Sequence, residues 1–334
     1  FARLEGAYLT DARLESAMLL GASLNGATLN NARLAGANLS NTQLAGAELF
    51  GAHLEGAQLC EAALGGKTLT REEVERTRRW LPDFPEALPG ARLGGVFFDN
   101  ATDLDAAVLG DETCGCVAVA DARWGGVNLA VLDWAPVKTL GDEREAWQAT
   151  EHGGKPKEKD EETRLLEFRA AVRANRQLVV ALRDQGLSEE ADRFAYRAQR
   201  LQREVLRRQA LRREGEALPT FGQRAQKLGA YAFSHFLDVL AGYGYKPGRS
   251  LLAYLLVLGS FTALYFKLGG AVHPPLSPLA ALIFSVTSFH GRGFFPGGVA
   301  LDNPLTVLAA GEAILGLIIE ISFIATFTQR FFGK

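Results

Sequence analysis

Ala2-Arg3-Leu4-Glu5-Gly6, Ala7-Tyr8-Leu9-Thr10-Asp11, Ala12-Arg13-Leu14-Glu15-Ser16: the chain opens on a five-residue unit, Ala-x-Leu-x-x. Fourteen leucines keep this step unbroken from Leu4 to Leu69, and Thr42 and Lys67 replace the alanine in two copies. The period fits neither a helix, at about 3.6 residues, nor a strand, at about 2. It requires a backbone that turns a corner every five residues, hence a solenoid. Ala and Leu two positions apart face the same side of an extended segment. Leucine then fills the interior and alanine leaves room for the next corner. The variable positions Arg3, Glu15, Asn30 and Glu48 face outward.

The step is interrupted after Leu69. Thr70-Arg71-Glu72-Glu73 has the capping-box pattern and predicts a short helix to about Trp80. Pro82, Pro85 and Pro89 mark a loop. The step returns in degenerate form through Leu104, Leu109, Cys114, Val119, Trp124, Leu129 and Trp134. We therefore expect a rod over 1–139 with an insert at about 70–100. Cys114 falls on the inward register and Cys116 on the outward one. With Cys60 the cysteines are three, an odd number that argues against a disulfide framework. No His or second Cys pair accompanies them to complete a metal site.

The ladder resembles the pentapeptide-repeat family. That resemblance implies a right-handed quadrilateral β-helix with four repeats per coil. A rod of this kind displays surfaces, which implies an unknown protein or ligand as partner. Some members imitate DNA, which needs a strongly acidic surface. Here Arg3, Arg13, Arg33 and Lys67 offset most of Glu5, Asp11, Glu15, Glu48, Glu55 and Glu61, so no nucleic-acid partner is expected. Phe1 stands in mid-repeat without a Met, which suggests a trimmed N-terminus, so a leader is not judged from it.

The net charge of −2 conceals a strong segregation: 155–216 is dense in charge and 250–328 nearly free of it. Residues 140–162 read as a linker. Residues 163–216 read as a cytoplasmic helical hairpin similar to a tetratricopeptide unit, broken at Gly186 and restarted after Ser188 with Glu189 and Glu190 in the first turn. Phe194, Ala198, Leu201 and Val205 make its apolar stripe. Arg207, Arg208, Arg212 and Arg213 end it in a basic cluster, either a solvated face or a contact for anionic membrane lipids. Residues 219–245 form an amphipathic helix suited to the membrane interface, with Leu228, Ala232, Phe236 and Leu240 on one side.

Ser250 to Phe266 carries no charge, and Leu305 to Thr328 is a second, longer apolar run. Lys246 and Arg249 before the first, and Arg330 and Lys334 after the second, place both termini in the cytoplasm of a multi-pass protein of the cell (inner) membrane. Between them, Pro274, Pro275 and Pro278 open an apolar run, Leu279 to Val286, too short to cross a bilayer. It ends in Thr287-Ser288-Phe289-His290-Gly291-Arg292-Gly293-Phe294. A span, a re-entrant helix, a polar turn and a second span make the plan of a pore loop, over 249–334. One copy per chain implies a homotetramer.

Residues 249–330 resemble the two-span potassium-channel superfamily, whose filter is Thr-Val-Gly-Tyr-Gly-Asp. Setting Gly291-Arg292-Gly293 on Gly-Tyr-Gly puts Phe289, His290 and Phe294 in the Thr, Val and Asp places; a one-residue shift matches Thr287-Ser288 and Pro296 better but loses the second glycine. These departures leave K⁺ selectivity unestablished. In the family the Tyr side chain points away from the pore, which implies an Arg292 behind the filter, paired with Glu312 or Asp302. A pore-facing Arg292, with His290, would select anions instead. Gly316 lies near the family's gating-hinge glycine, although close helix packing also explains a helix glycine. Glu312, Gly316 and Glu320 share one helix face. An intramembrane carboxylate costs ~2.5 kcal/mol or more and is a functional candidate. A ring of Glu320 around a cavity attracts cations.

The expected protein is thus multidomain: a β-helix, an α-helical hairpin and an all-α two-span pore-loop domain. Its expected function is a channel for monovalent cations, K⁺ or Na⁺, with a sensing or docking rod. The alternatives are an anion channel and a membrane-anchored scaffold without conduction. The histidines are scattered, and no nucleophile, phosphate-loop or cofactor pattern stands beside them, so neither an enzyme nor a cofactor is expected.

Overall fold

The computed structural model describes residues 2–111, 113, 115–149, 158–211, 221–269, 275–291 and 304–332. They fall into two compact units, Phe1–Leu228 and Gly229–Lys334. In the first, Arg3 pairs in parallel with Ser23, Tyr8 with Thr28, Arg13 with Arg33 and Met18 with Asn38, and these with the next turn. The backbone thus returns over itself every four units. The Leu4 N–H donates to the Ser23 carbonyl at 2.8 Å, and this pattern repeats up the coil. Nine successive leucines, Leu24 to Leu64, are 0–1% exposed. Each contributes roughly 2 kcal/mol of burial, before the entropy of ordering it.

The corners have their own signal. Gly6, Asp11, Ser16, Gly21, Gly26, Asn31, Gly36, Asn41, Gly46, Gly51, Gly56 and Glu61 all have φ between 55° and 68°. Each stands two residues after a ladder leucine, where Gly, Asn or Asp tolerates the left-handed turn best. Thr42 is buried at an alanine place and donates its hydroxyl to the Leu39 carbonyl at 2.6 Å.

The insert is shorter than the sequence suggests. Strand β1 (Lys67–Thr68) pairs antiparallel with β2 (Ala87–Leu88), and helix α1 (Arg71–Arg78) lies between them. The capping box forms: the Thr70 hydroxyl accepts from the Glu73 N–H, and the Glu73 carboxylate accepts from the Thr70 N–H. The coil resumes at once, with Glu48 paired to Arg92 and His53 to Phe97. Leu81, Phe84 and Leu88 lie over Gly6, Gly26 and Gly46, where a Cβ would come within 2.9, 3.0 and 3.1 Å of them. One column of corner glycines therefore forms the bed of the insert.

A second interruption is the hairpin β3 (Gly110–Asp111) and β4 (Gly115–Cys116). It corrects the cysteine register: Cys116 is buried rather than outward, while Cys114 lies outside the described residues. The last bridge joins Phe97 to Arg123. Leu129 then enters a single 3₁₀ turn, and Trp134 donates its indole N–H to the Leu129 carbonyl at 2.9 Å. The coil thus stops before the two final steps read from sequence.

Helices α2 (Gly141–Trp147) and α3 (Glu161–Asp184) cover the end of the coil. Asp142 accepts from the Val119 and Ala120 N–H groups at 2.6 and 3.0 Å, and Gln177 from the Asp121 N–H at 3.0 Å. Side chains there replace the carbonyls of a further turn, which removes an open strand edge. Burial pushes Asp142 up to about 6, although the two N–H groups favour its charged form. Helix α4 (Ser188–Leu211) packs back on α3, with Phe168, Ala171, Leu201 and Val205 in the shared core.

The second unit is helical. It holds most of α5 (Phe221–Ala241), then α6 (Pro247–Leu268), α7 (Pro278–Phe289) and α8 (Pro304–Phe332). Pro247 and Pro278 open their helices, where a missing N–H costs nothing. Two stretches, Gly248–Leu268 and Pro304–Ala325, are long and apolar enough to cross a membrane. Only 6% and 22% of their apolar windows are buried. Leu251, Leu255, Ile314, Ile318 and Ile321 are among the exposed side chains.

Candidate functional site

α6, α7 and α8 meet around one buried carboxylate. Glu312 of α8 is 0% exposed. It accepts from the Tyr265 hydroxyl of α6 at 2.7 Å and from the Ser285 hydroxyl of α7 at 2.5 Å. Ser285 also lies 3.2 Å from the Leu258 carbonyl. Tyr265, Ala281, Phe284, Leu305 and Ala309 form the apolar wall. Glu312 is therefore enclosed by its own chain, not set on an open face. Tyr265 and Ser285 were not singled out from sequence. Their signal is a serine within the apolar run 279–286 and a tyrosine inside a span.

The end of α7 is held as tightly. Phe289 packs with Leu240 and Ile319, and edge-on to Tyr254. A Cβ on Gly316 would lie 2.0 Å from the Phe289 carbonyl oxygen. α8 is one helix through this point, and close approach accounts for the glycine. Thr287 turns its hydroxyl back to the Ile283 and Phe284 carbonyls at 3.0 Å, and Ser288 is buried. Gly291 follows with φ 67°. Arg292, Gly293, Phe294 and Asp302 lie outside the described residues.

Beyond Phe289 the polar character returns. His290 Nδ1 is hydrogen-bonded to Glu320 of α8. Both side chains are partly open, at 39% and 37%. Of the three residues on one face of α8, the structure encloses Glu312, packs Gly316 and leaves Glu320 accessible.

The basic end of α4 differs from expectation. The Arg208 guanidinium is 7% exposed, paired with Glu161 and Glu204 and stacked over Phe168 at 4.8 Å. It clasps the hairpin and does not face lipid. Arg207 makes a bidentate pair with Glu204. Arg212 and Arg213 lie outside the described residues. Cys60 donates to Asp103 at 3.0 Å, and that carboxylate together with partial burial pushes the thiol up, away from nucleophilic use.

The coil now has its class. Residues 1–34 and 29–66 match the pentapeptide-repeat family model, in eight copies. Among solved structures the chain is similar to a pentapeptide repeat protein from the Arabidopsis thaliana thylakoid lumen, at 24% identity, covering 31% of this chain and 56% of that one with a TM-score of 0.24. It is also similar to the pentapeptide repeat protein Rfr23 of the cyanobacterium Cyanothece 51142, at 27% identity, covering 35% of this chain and 64% of that one with a TM-score of 0.16. The chain thus spans less than two thirds of either relative. No curated protein matches it.

Proposed function

We propose that the chain is one subunit of a homotetrameric pore-loop channel for monovalent cations, K⁺ or Na⁺. The observation that carries the reading is α7. Its twelve residues measure roughly 18 Å, about half of a bilayer's hydrocarbon, and it lies between two helices able to span. A tether needs no such element. A helix that stops at half the membrane's depth is tolerated only where protein or a water-filled path surrounds its end. The Glu312 junction at Ser285 and the Phe289–Gly316 contact anchor the C-terminal half of α7 rigidly.

In this reading the ion path is lined from His290 onward, the buried Ser288 and Phe289 hold the end of α7, Glu320 adds negative charge below the path, and Glu312 orients α7. α5 lies along the membrane surface, and both termini face the cytoplasm. The pentapeptide-repeat region, as a right-handed quadrilateral β-helix, and the α3–α4 hairpin form a cytoplasmic part that senses or docks a partner. No residue is assigned a catalytic role.

Reversal potentials in asymmetric KCl and NaCl, with purified protein in planar bilayers, test the reading. A reversal near the cation value supports it. A reversal near the chloride value transfers the role to Arg292 and His290 as an anion filter. Absence of current under every condition leaves a membrane-anchored scaffold.

A further inference from the structure

We propose that His290 and Glu320, joined by the same pair from neighbouring copies, form a site for a borderline divalent transition metal such as Zn²⁺, and that its occupation blocks conduction. The inference rests on the four-copy reading above.

The pair has the geometry of an oriented metal ligand. Glu320 engages Nδ1 of His290. A carboxylate on one ring nitrogen fixes the tautomer and ring direction, and leaves the other nitrogen, Nε2, with its lone pair free for a metal. Among the described residues the imidazole also lies near the Tyr254 and Phe289 rings, centred 6.2 and 5.4 Å away. The His290 side chain is 39% exposed. It also stands just past the C-terminal end of α7, where the helix dipole is negative.

One chain does not complete the site. Among the described residues no three metal-ligating side chains gather. Copies related by a fourfold axis would present four imidazoles, each backed by a carboxylate. Nitrogen ligands of that kind select Zn²⁺, Ni²⁺ or Cu²⁺ over Mg²⁺ and Ca²⁺. The metal serves no chemistry there: it sits in the ion path and closes it.

The test uses the full chain purified without a polyhistidine tag. Zn²⁺ content is measured after equilibration and gel filtration, and current is recorded with Zn²⁺ or Mg²⁺ added. We expect one Zn²⁺ per four chains, and block by Zn²⁺ but not by Mg²⁺. Both should be lost in His290→Ala and in the better size-matched His290→Gln. Glu320→Gln should weaken binding by about tenfold or more, as loss of an orienting carboxylate does. Zn²⁺ that neither binds nor blocks a conducting protein overturns the site and leaves the channel standing. Zn²⁺ bound through His290 at one per four chains in a protein without current keeps the site and overturns the channel. Binding unchanged by either His290 substitution overturns the site.

Discussion

The carbonyl oxygen of Phe289 sits against Gly316 so closely that a Cβ there would lie 2.0 Å from it. Gly316→Ala must therefore push α8 away from the end of α7. Overpacking of this kind costs about 1–3 kcal/mol or more. The expected result is a lower thermal midpoint in detergent. Gly311 has nothing within 4 Å, so Gly311→Ala should be neutral or slightly stabilising. Equal behaviour of the two variants would remove the packing explanation and return Gly316 to a hinge.

The coil was legible because Leu4 to Leu69 keep one phase. Its resumption at Arg92 was not. Leu93 and Phe98 keep the step, but Leu104 follows Phe98 by six residues, and the β3–β4 hairpin shifts the phase again. A register set on Leu104 misses the preceding side of the coil. The corner residues carry a signal of their own, a Gly, Asn or Asp two places after most ladder leucines. In the second unit, α7 follows from its prolines and apolar run. The Glu312 junction does not, because Tyr265 and Ser285 approach it from far along the chain and no local period links them.

That junction makes a separable prediction. Tyr265→Phe removes one donor and should cost about 1 kcal/mol. Glu312→Leu takes the carboxylate acceptor from the Tyr265 hydroxyl and leaves Ser285 only the Leu258 carbonyl, so it should cost more, about 1–3 kcal/mol for the buried Tyr265 hydroxyl alone. A Tyr265→Phe/Glu312→Leu double-mutant cycle on the thermal midpoint should show coupling. Strict additivity would mean that the contact is not used.

The end of the coil is sealed by Gln185. Its Oε1 accepts from the Leu129 N–H and its Nε2 donates to the Val127 carbonyl, both at 2.7 Å. Gln185→Ala should raise amide exchange locally at Leu129, by roughly tenfold for about 1.4 kcal/mol, and leave the Leu24–Leu64 turns unchanged. Gln185→Glu keeps the acceptor but sets a carboxylate against the Val127 carbonyl, so it should rescue little. Unchanged exchange at Leu129 in Gln185→Ala would show that the cap is not needed.

Glu73 gives the insert a pH dependence of definite sign. Burial acts to raise its pKa, but the Lys67 ammonium and the Thr70 N–H and hydroxyl outweigh it and hold the carboxyl at about 2. Its stabilisation is present above the unfolded value, near 4.5, and is lost as pH falls from there toward 2. Solvent screening at this partly open site limits it to about 1 kcal/mol. The ratio of α1 protection in wild type to that in Glu73→Gln should fall roughly fivefold between neutral pH and pH of about 2. A ratio that does not change with pH would show that the Lys67 and Thr70 contacts do not stabilise the ion.

α8 carries two carboxylates with opposite surroundings, and they should answer differently to the same change. Glu312 is enclosed and hydrogen-bonded by two hydroxyls, whereas Glu320 is partly open and hydrogen-bonded to His290. In the proposed tetrameric channel, four open carboxylates near the ion path would raise the local cation concentration. Glu320→Gln should therefore lower unitary cation conductance by at least about twofold, most clearly at low salt, where screening is weak. Its folding should be nearly intact, since Gln can still hydrogen-bond His290. Glu312→Gln should do the reverse: fewer folded channels, because one acceptor oxygen becomes a donor facing a hydroxyl, but the survivors conduct as wild type does. Single-channel amplitude separates the two, since it is blind to the number of folded molecules. A smaller amplitude in Glu312→Gln with none in Glu320→Gln would invert the assignment of the two carboxylates.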